Sequence, residues 1–180
     1  EDTDIVLKTL GTLKRLFKEN TSSLASLGFK FFMNYCREPT SNEELNTMTI
    51  KVLTAAFKNG MKFFYKPGKD EYNREFIQVR EIAESIISDD DSNDDLVAAA
   101  VELVNSFLDA RPSHLSALEI FAETDIVPKM INRSTESLFK TKKAICIAIC
   151  NFIRNSKKDE LRELIKLGVI GSLCDYAITN

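Results

Sequence analysis

The feature that most constrains the fold is a pattern of residues that recurs at one fixed spacing. Asn59, Asn105 and Asn151 lie 46 residues apart, and each falls late in a segment whose apolar residues repeat every three or four positions. That local spacing predicts amphipathic α-helices. In this register the neighbouring residues agree in type, namely Val52, Ala98 and Ala144; Leu53, Ala99 and Ile145; Ala55, Val101 and Ile147; Phe57, Leu103 and Ile149; and Met61, Phe107 and Ile153.

The segments that connect these helices repeat as well. Their apolar positions recur 43 residues further on, as Leu118, Phe121, Ala122, Ile126, Val127 and Met130 and then as Leu161, Leu164, Ile165, Val169, Ile170 and Leu173. Periods of roughly 40 to 47 residues with two or three helices each are typical of HEAT and armadillo repeats. We therefore predict an all-α fold, a right-handed superhelical solenoid of armadillo/HEAT-type helical repeats.

We expect this single solenoid to cover residues 1–180. The chain opens without Met, so we also expect it to be part of a longer protein. Its approximate repeat units are 1–66, 71–111, 113–156 and 158–180. Each unit would bury its apolar face only by stacking on its neighbours.

Capping residues and prolines predict where the helices begin and end. Ser41 with Glu44, and Ser92 with Asp95, fit the capping box, in which a serine and an acidic residue satisfy each other's main-chain amides. Ser113 is the predicted cap of a short helix. The predicted helices cover 5–17, 24–35, 42–66, 76–87, 96–108, 114–121, 126–131, 139–153, 161–167 and 169–178, with Pro67 and Pro112 as breaks.

Charge and cysteine content narrow the class of partner. The net charge is −3, and binding of nucleic acid or an anionic membrane requires a concentrated basic face, so neither partner is expected. Cys36, Cys146, Cys150 and Cys174 lack the spacing of a disulfide framework, and we predict that they are buried free thiols. This predicts a reducing compartment, the cytoplasm or the nucleus or both.

Catalytic and metal-binding patterns are weak. His114 is the only histidine and no nucleophile is paired with it by motif. The run from Asp89 to Asn93 begins like a calcium loop, but Asp94 and Ala100 stand where glycine and glutamate are needed. We therefore predict a protein that is not an enzyme and that binds no metal and no cofactor.

Two consecutive segments of the chain share their residue types with one known repeat family. The first contains Ile126-Val127-Pro128, Phe139-Lys140-Thr141-Lys142-Lys143-Ala144, Ala148-Ile149 and Asn151, and the second contains Leu161-Arg162, Leu164, Leu167-Gly168, Ile170 and Leu173-Cys174-Asp175. Together they resemble late armadillo repeats of importin-α, the nuclear-import adaptor, over about residues 124 to 176.

The resemblance implies a groove that holds an extended peptide on the concave face. In that family the third helix of a repeat carries Trp and, one turn later, an Asn whose amide pairs with the peptide backbone. The resemblance assigns that role to Asn59, Asn105 and Asn151. The chain has no Trp, and the corresponding positions hold Ala55, Val101 and Ile147, where we expect pockets for apolar or small side chains.

Two interpretations therefore remain open. In the first, the chain is a non-catalytic, importin-α-like adaptor for a protein or an extended peptide. In the second, it is an armadillo or HEAT scaffold of another pathway, which binds a folded partner or forms a dimer without using the asparagines. The oligomeric state is not predicted by either pattern.

Overall fold

The computed structural model describes residues 2–19, 40–60, 74–122 and 124–178. These ranges form helices and contain no strand, so the all-α class is confirmed. The predicted helix over 24–35 and the predicted break at Pro67 lie outside the described residues. The helices are α1 (Asp2–Glu19), α2 (Glu43–Gly60), α3 (Arg74–Ser88), α4 (Asp94–Ala110), α5 (Ala117–Ile120), α6 (Ile126–Glu136), α7 (Phe139–Arg154), α8 (Lys158–Lys166) and α9 (Val169–Ile178).

The chain divides into two compact units, Glu1–Ile82 and Ala83–Asn180. In the first unit, α1 packs against α2. Leu10 and Phe17 are two turns apart on one face of α1, and both are buried. The ring of Phe57 on α2 lies 5.9 Å from the ring of Phe76 on α3, both of them fully buried. Large apolar side chains at helical spacing therefore build this core.

The beginning of α2 differs from the prediction by one residue. The side chain of Asn42 accepts a hydrogen bond from the main-chain N–H of Leu45, at 3.1 Å, whereas Ser41 is exposed. The predicted Ser41 capping box is therefore wrong. An asparagine at the last non-helical position competes well for this role, because its side-chain oxygen reaches the same free amide.

In the second unit, the pair of α4 with α7 is the most extensive. Near the beginning of both helices, the Thr141 hydroxyl donates to the carbonyl of Asp94 at 2.9 Å. Near the end of both, Asn151 Nδ2 donates to Asn105 Oδ1 at 3.0 Å. Contacts at both ends between residues 46 and 47 positions apart show that the helices run in the same direction.

Two further contacts in this unit also join residues about one period apart. Lys129 at the first turns of α6 forms an ion pair with Glu84 on α3, at 3.1 Å. The Ser116 hydroxyl before α5 donates to Glu160 Oε1 on α8, at 2.5 Å. A hydrogen bond from Lys157 and a second from the main chain of Ser116 hold the pKa of Glu119 below its usual value. The Lys129 and Ser116 contacts join residues 45 and 44 positions apart, close to one period.

Three aromatic rings connect these helices in the core. The Phe121 ring at the end of α5 lies 5.8 Å from Phe107 on α4, edge to face, and 5.2 Å from Phe152 on α7. All three rings are buried. Such tilted pairs add stabilisation beyond burial alone, so Phe121 holds the short α5 against the pair of α4 and α7.

Two further predicted caps are corrected by the structure. Asn93, not Ser92, caps α4 by accepting from Leu96 N–H at 2.8 Å, while the Ser92 hydroxyl donates to Asp89 Oδ2. Ser116, not Ser113, caps α5, and its capping box with Glu119 is complete. In both cases the cap is the residue directly before the first helical turn, where a side-chain oxygen reaches the free amides.

Replacing Ser116 with alanine should destabilise the second unit. The change removes the α5 cap and the hydrogen bond to Glu160, and loss of such a cap costs about 1 to 2 kcal/mol. Ser113→Ala is the matched control, because Ser113 is exposed and caps no helix. Its effect should stay within about 0.5 kcal/mol. Urea unfolding followed by circular dichroism measures both, and equal effects would contradict the assignment of the cap.

Candidate functional site

The pairing of α4 with α7 brings two of the three predicted asparagines together. Asn105 and Asn151 are both half-buried, and their amides are joined by the 3.0 Å hydrogen bond. Arg154 Nη1 lies 3.5 Å from Asn151 Oδ1. The side chain of Asn59 lies outside the described residues. The sequence register thus predicts the proximity of one pair of asparagines, on neighbouring helices.

The asparagine pair keeps part of its hydrogen-bonding capacity. A carboxamide carries two N–H donors and an oxygen with two acceptor sites. In the described part of the chain, Asn105 Nδ2 donates to no group, and the second N–H of Asn151 has no acceptor. An N–H or C=O of another main chain could therefore bind here without breaking the contact between the two side chains.

The residues one turn before the asparagines differ in exposure. Val101 is fully buried, with 0% exposure, whereas Ile147 is 48% exposed. The predicted apolar pocket at Val101 is therefore wrong, because α7 packs along α4 and this side chain belongs to the core. Ile147 offers an accessible apolar surface next to Asn151. Ala55, in the first unit, is half-buried.

The exposed charged residues around the asparagine pair are acidic on α4 and basic on α7. Glu102 and Asp109 lie one turn before and one turn after Asn105 on α4, and both are exposed. On α7 the exposed residues Lys143 and Arg154 lie on the side of Ile147. The individual charges are visible in the sequence, but their division between two neighbouring helices appears only once the helices are placed side by side.

The cysteines are less buried than predicted. Cys150 and Cys174 are exposed and Cys146 is half-buried, all three as free thiols, while Cys36 lies outside the described residues. The prediction of buried thiols is therefore wrong for Cys150 and Cys174. Apolar neighbours in sequence suggested a core, but the side of α7 that carries Cys150 faces solvent. Burial, and next the neighbouring Cys150, raise the pKa of the Cys146 thiol.

A cleft of about 280 Å³ opens beside Cys146, between α6, α7 and α9. Phe139 and Tyr176 stack at 6.1 Å and tie α7 to α9. The exposed His114 is not part of this cleft. The residues that line it come from three helices, so no continuous sequence motif marks it: Ser134, Thr135, Lys142, Cys146, Ser172, Asp175, Tyr176 and Ile178.

The cysteines should differ in reactivity with iodoacetamide. Only the thiolate reacts, and a raised pKa keeps Cys146 protonated at a pH where an ordinary exposed thiol has begun to ionise. We expect Cys146 to react several-fold more slowly than Cys150 and Cys174 at about pH 8. The difference should narrow as the pH rises above 9.0, the ordinary value for a thiol. Peptide mapping by mass spectrometry measures the rates, and faster labelling of Cys146 would contradict the structure.

Clusters of three or more His, Cys, Asp or Glu side chains that could hold a metal ion are absent from the described ranges. Within those ranges, no helix has the length and apolar character needed to cross a membrane. Comparisons of the chain with protein-family models, with curated proteins and with solved structures gave no match.

Proposed function

We propose that the second unit is part of an armadillo/HEAT-type solenoid that binds an extended peptide and catalyses no reaction, as an importin-α-like adaptor does. The observation that carries this proposal is the contact between Asn105 and Asn151 across two parallel helices. Further support comes from two contacts between residues about one period apart, those of Lys129 with Glu84 and of Ser116 with Glu160. Stacked repeats create such relations because each helix packs on its counterpart in the next unit.

The main chain of an extended peptide carries hydrogen-bonding groups that match those of the asparagine pair. Each residue of an extended chain offers one N–H and one C=O, largely unpaired within the chain itself. The free N–H groups of Asn105 and Asn151 can donate to peptide carbonyls, and the remaining acceptor site on Asn151 Oδ1 can receive a peptide N–H. Such contacts bind a backbone without specifying its side chains.

Side-chain preference would come from the surroundings of the pair. Over α4, Glu102 and Asp109 favour a cationic side chain, and over α7 the exposed Ile147 favours an apolar one. This replaces the expectation of an apolar pocket at Val101. Because exposed ion pairs contribute only about 0 to 1 kcal/mol each, the resulting preference is modest.

The alternative is a scaffold of another pathway that binds a folded partner or forms a dimer. Under that hypothesis the hydrogen bond between Asn105 and Asn151 serves only to keep α4 and α7 in register. The exposed side of α7, with Ile147 at its centre, favours this second candidate as well. For either function we propose the cytoplasm or the nucleus, because free exposed thiols such as Cys150 persist in reducing compartments.

Replacing Asn105 and Asn151 together with alanine should weaken peptide binding. Each lost hydrogen bond is worth about 0.5 to 1.5 kcal/mol, so we expect roughly a tenfold loss for the double variant. The measurement is fluorescence anisotropy with a panel of labelled extended peptides, in which apolar, acidic and lysine-rich sequences share one length. Asn132→Ala, at an exposed position on α6, is the matched control and should bind like the unchanged protein.

Unchanged affinity of the double variant for every peptide in the panel would overturn the groove hypothesis in favour of the scaffold. Circular dichroism of the double variant separates a loss of binding from a loss of fold. The panel also tests selectivity. A lysine-rich import peptide that binds far more tightly than all the others would contradict the modest preference inferred from Glu102 and Asp109.

A further inference from the structure

The beginnings of four helices in the second unit, α5 to α8, share one contact. The residue directly before each helix donates its main-chain N–H to a carboxylate. In a capping box that carboxylate belongs to the same helix, at its third position. This holds for α5 and α8, where the N–H of Ser116 donates to Glu119 Oε2 and the N–H of Lys157 donates to Glu160 Oε2, each at 2.6 Å.

The helices α6 and α7 receive this carboxylate from another helix. The N–H of Asp125 donates to Glu84 Oε1 at 3.1 Å, and the N–H of Leu138 donates to Asp94 Oδ2, also at 3.1 Å. The two acceptors stand 41 and 44 positions earlier in the chain, on α3 and at the beginning of α4. Glu84 also accepts from Lys129 Nζ at 3.1 Å, so it holds the first turns of α6 at two points.

Neither α6 nor α7 contains the residues for a capping box of its own. The third helical position is Pro128 in α6 and Thr141 in α7, where the box requires Glu or Gln. The side chain of Leu138 has no polar atom, and that of Asp125 makes no capping hydrogen bond. The two helices therefore depend on earlier acids for a contact that α5 and α8 make for themselves.

The beginning of α4 does not depend on α7 in the same way. The side chain of Asn93 caps α4 by accepting from the N–H of Leu96 at 2.8 Å. Asp94, in contrast, holds the start of α7 twice, because its main-chain carbonyl also accepts from the hydroxyl of Thr141 at 2.9 Å. Thr141 is completely buried. Thus α4 begins on a cap of its own, whereas α7 begins on a residue of α4.

We propose that Glu84 and Asp94 are shared caps, which make the beginnings of α6 and α7 conditional on the folding of α3 and α4. A helix end whose free amides lose their partners opens first, and such local opening precedes global unfolding. Opening of the second unit then starts at Ile126 and Phe139, while α4 and α5 keep their own caps. This inference concerns the order of unfolding and does not depend on peptide binding at the asparagine pair.

Hydrogen exchange of single amides in the ¹⁵N-labelled full chain, followed by NMR under native conditions, tests the proposal. The amides of Val97, Lys129 and Lys142 close the first helical hydrogen bonds of α4, α6 and α7, each at 3.0 Å. Their exchange rates therefore report how often each helix opens at its beginning.

Replacing each shared cap should affect only the helix that borrows it. With Asp94→Ala we expect the Lys142 amide to exchange roughly fivefold to tenfold faster, as for the loss of one cap. Because Asp94 also faces the dipole of α4, Val97 should change too, but by less than about threefold. With Glu84→Ala the same acceleration should appear at Lys129 and not at Lys142.

Asp95→Ala is the matched control for Asp94→Ala. Asp95 is the other acid in the first turn of α4, and its ion pair with Lys140 on α7 is exposed. Because exposed ion pairs contribute little, this variant should change the exchange of Lys142 by less than about twofold.

A second substitution should rescue the loss of Asp94. Leu138 is 69% exposed, and its main chain has the extended conformation of an N-cap residue, with φ −66° and ψ 160°. Serine at this position would give α7 a cap of its own. The double variant Asp94→Ala with Leu138→Ser should therefore return the exchange of Lys142 to about the rate of the unchanged chain. If Asp94→Ala alone does not fold, recovery of the folded NMR spectrum in the double variant reports the same rescue.

Three outcomes would overturn the proposal. The first is unchanged exchange of Lys142 in Asp94→Ala and of Lys129 in Glu84→Ala. The second is equal acceleration of Val97, Lys129 and Lys142 by either variant, because the unit would then open as a whole. The third is a double variant in which Leu138→Ser restores nothing, since Asp94 would then act through a contact other than the cap of α7.

Discussion

The parallel packing of α4 beside α7 is the interaction on which the second unit depends. Its register is fixed at both ends, by the hydrogen bond from Thr141 to Asp94 and by the amide contact of Asn105 with Asn151. A slip by one residue would rotate each helix face by about 100° and bring polar residues into the core. Because Phe121 packs on Phe107 and Phe152, the position of α5 also follows from this register.

The beginning of α7 shows how closely the two helices depend on each other. The side chain of its N-cap residue, Leu138, accepts no hydrogen bond from the first main-chain amides of the helix. Instead Asp94, the first residue of α4, accepts from the main-chain N–H of Leu138 at 3.1 Å. A carboxylate at this end also interacts favourably with the helix dipole. The acidic start of α4 therefore stabilises two helices, and neither N-terminus can be understood from its own segment alone.

This dependence explains what the sequence could and could not predict. The all-α class and the proximity of Asn105 and Asn151 follow from periodicity, because apolar spacing sets the helix faces and the shared register sets which residues meet. The caps at Asn42, Asn93 and Ser116 were each misassigned, since several polar residues stand before each helix and only the main-chain geometry selects one. The polar ends of helices were also difficult to predict. For example, α6 was predicted to cover 126–131, but it continues to Glu136.

Burial was the least predictable property of the candidate site. Val101 and Ile147 occupy the same position in the register, yet one has 0% exposure and the other 48%. Cys150, likewise, has an apolar sequence context and is exposed. A sequence pattern identifies the side of a helix that is suited to burial, but a covering helix must be present for burial to occur. Exposure of such a side is therefore information that only the structure supplies.

The exposure of these residues also bears on the proposed binding of a peptide at this surface. Of the two apolar residues one turn before Asn105 and Asn151, Val101 lies in the core and Ile147, on α7, is exposed. The exposed charges differ between the two helices, since they are acidic beside Asn105 and cationic beside Asn151. A ligand that crosses from one helix to the other meets opposite charges in a fixed order. Under the proposed function, the charge pattern of the peptide would set the direction in which it lies, even where the asparagines bind only its main chain.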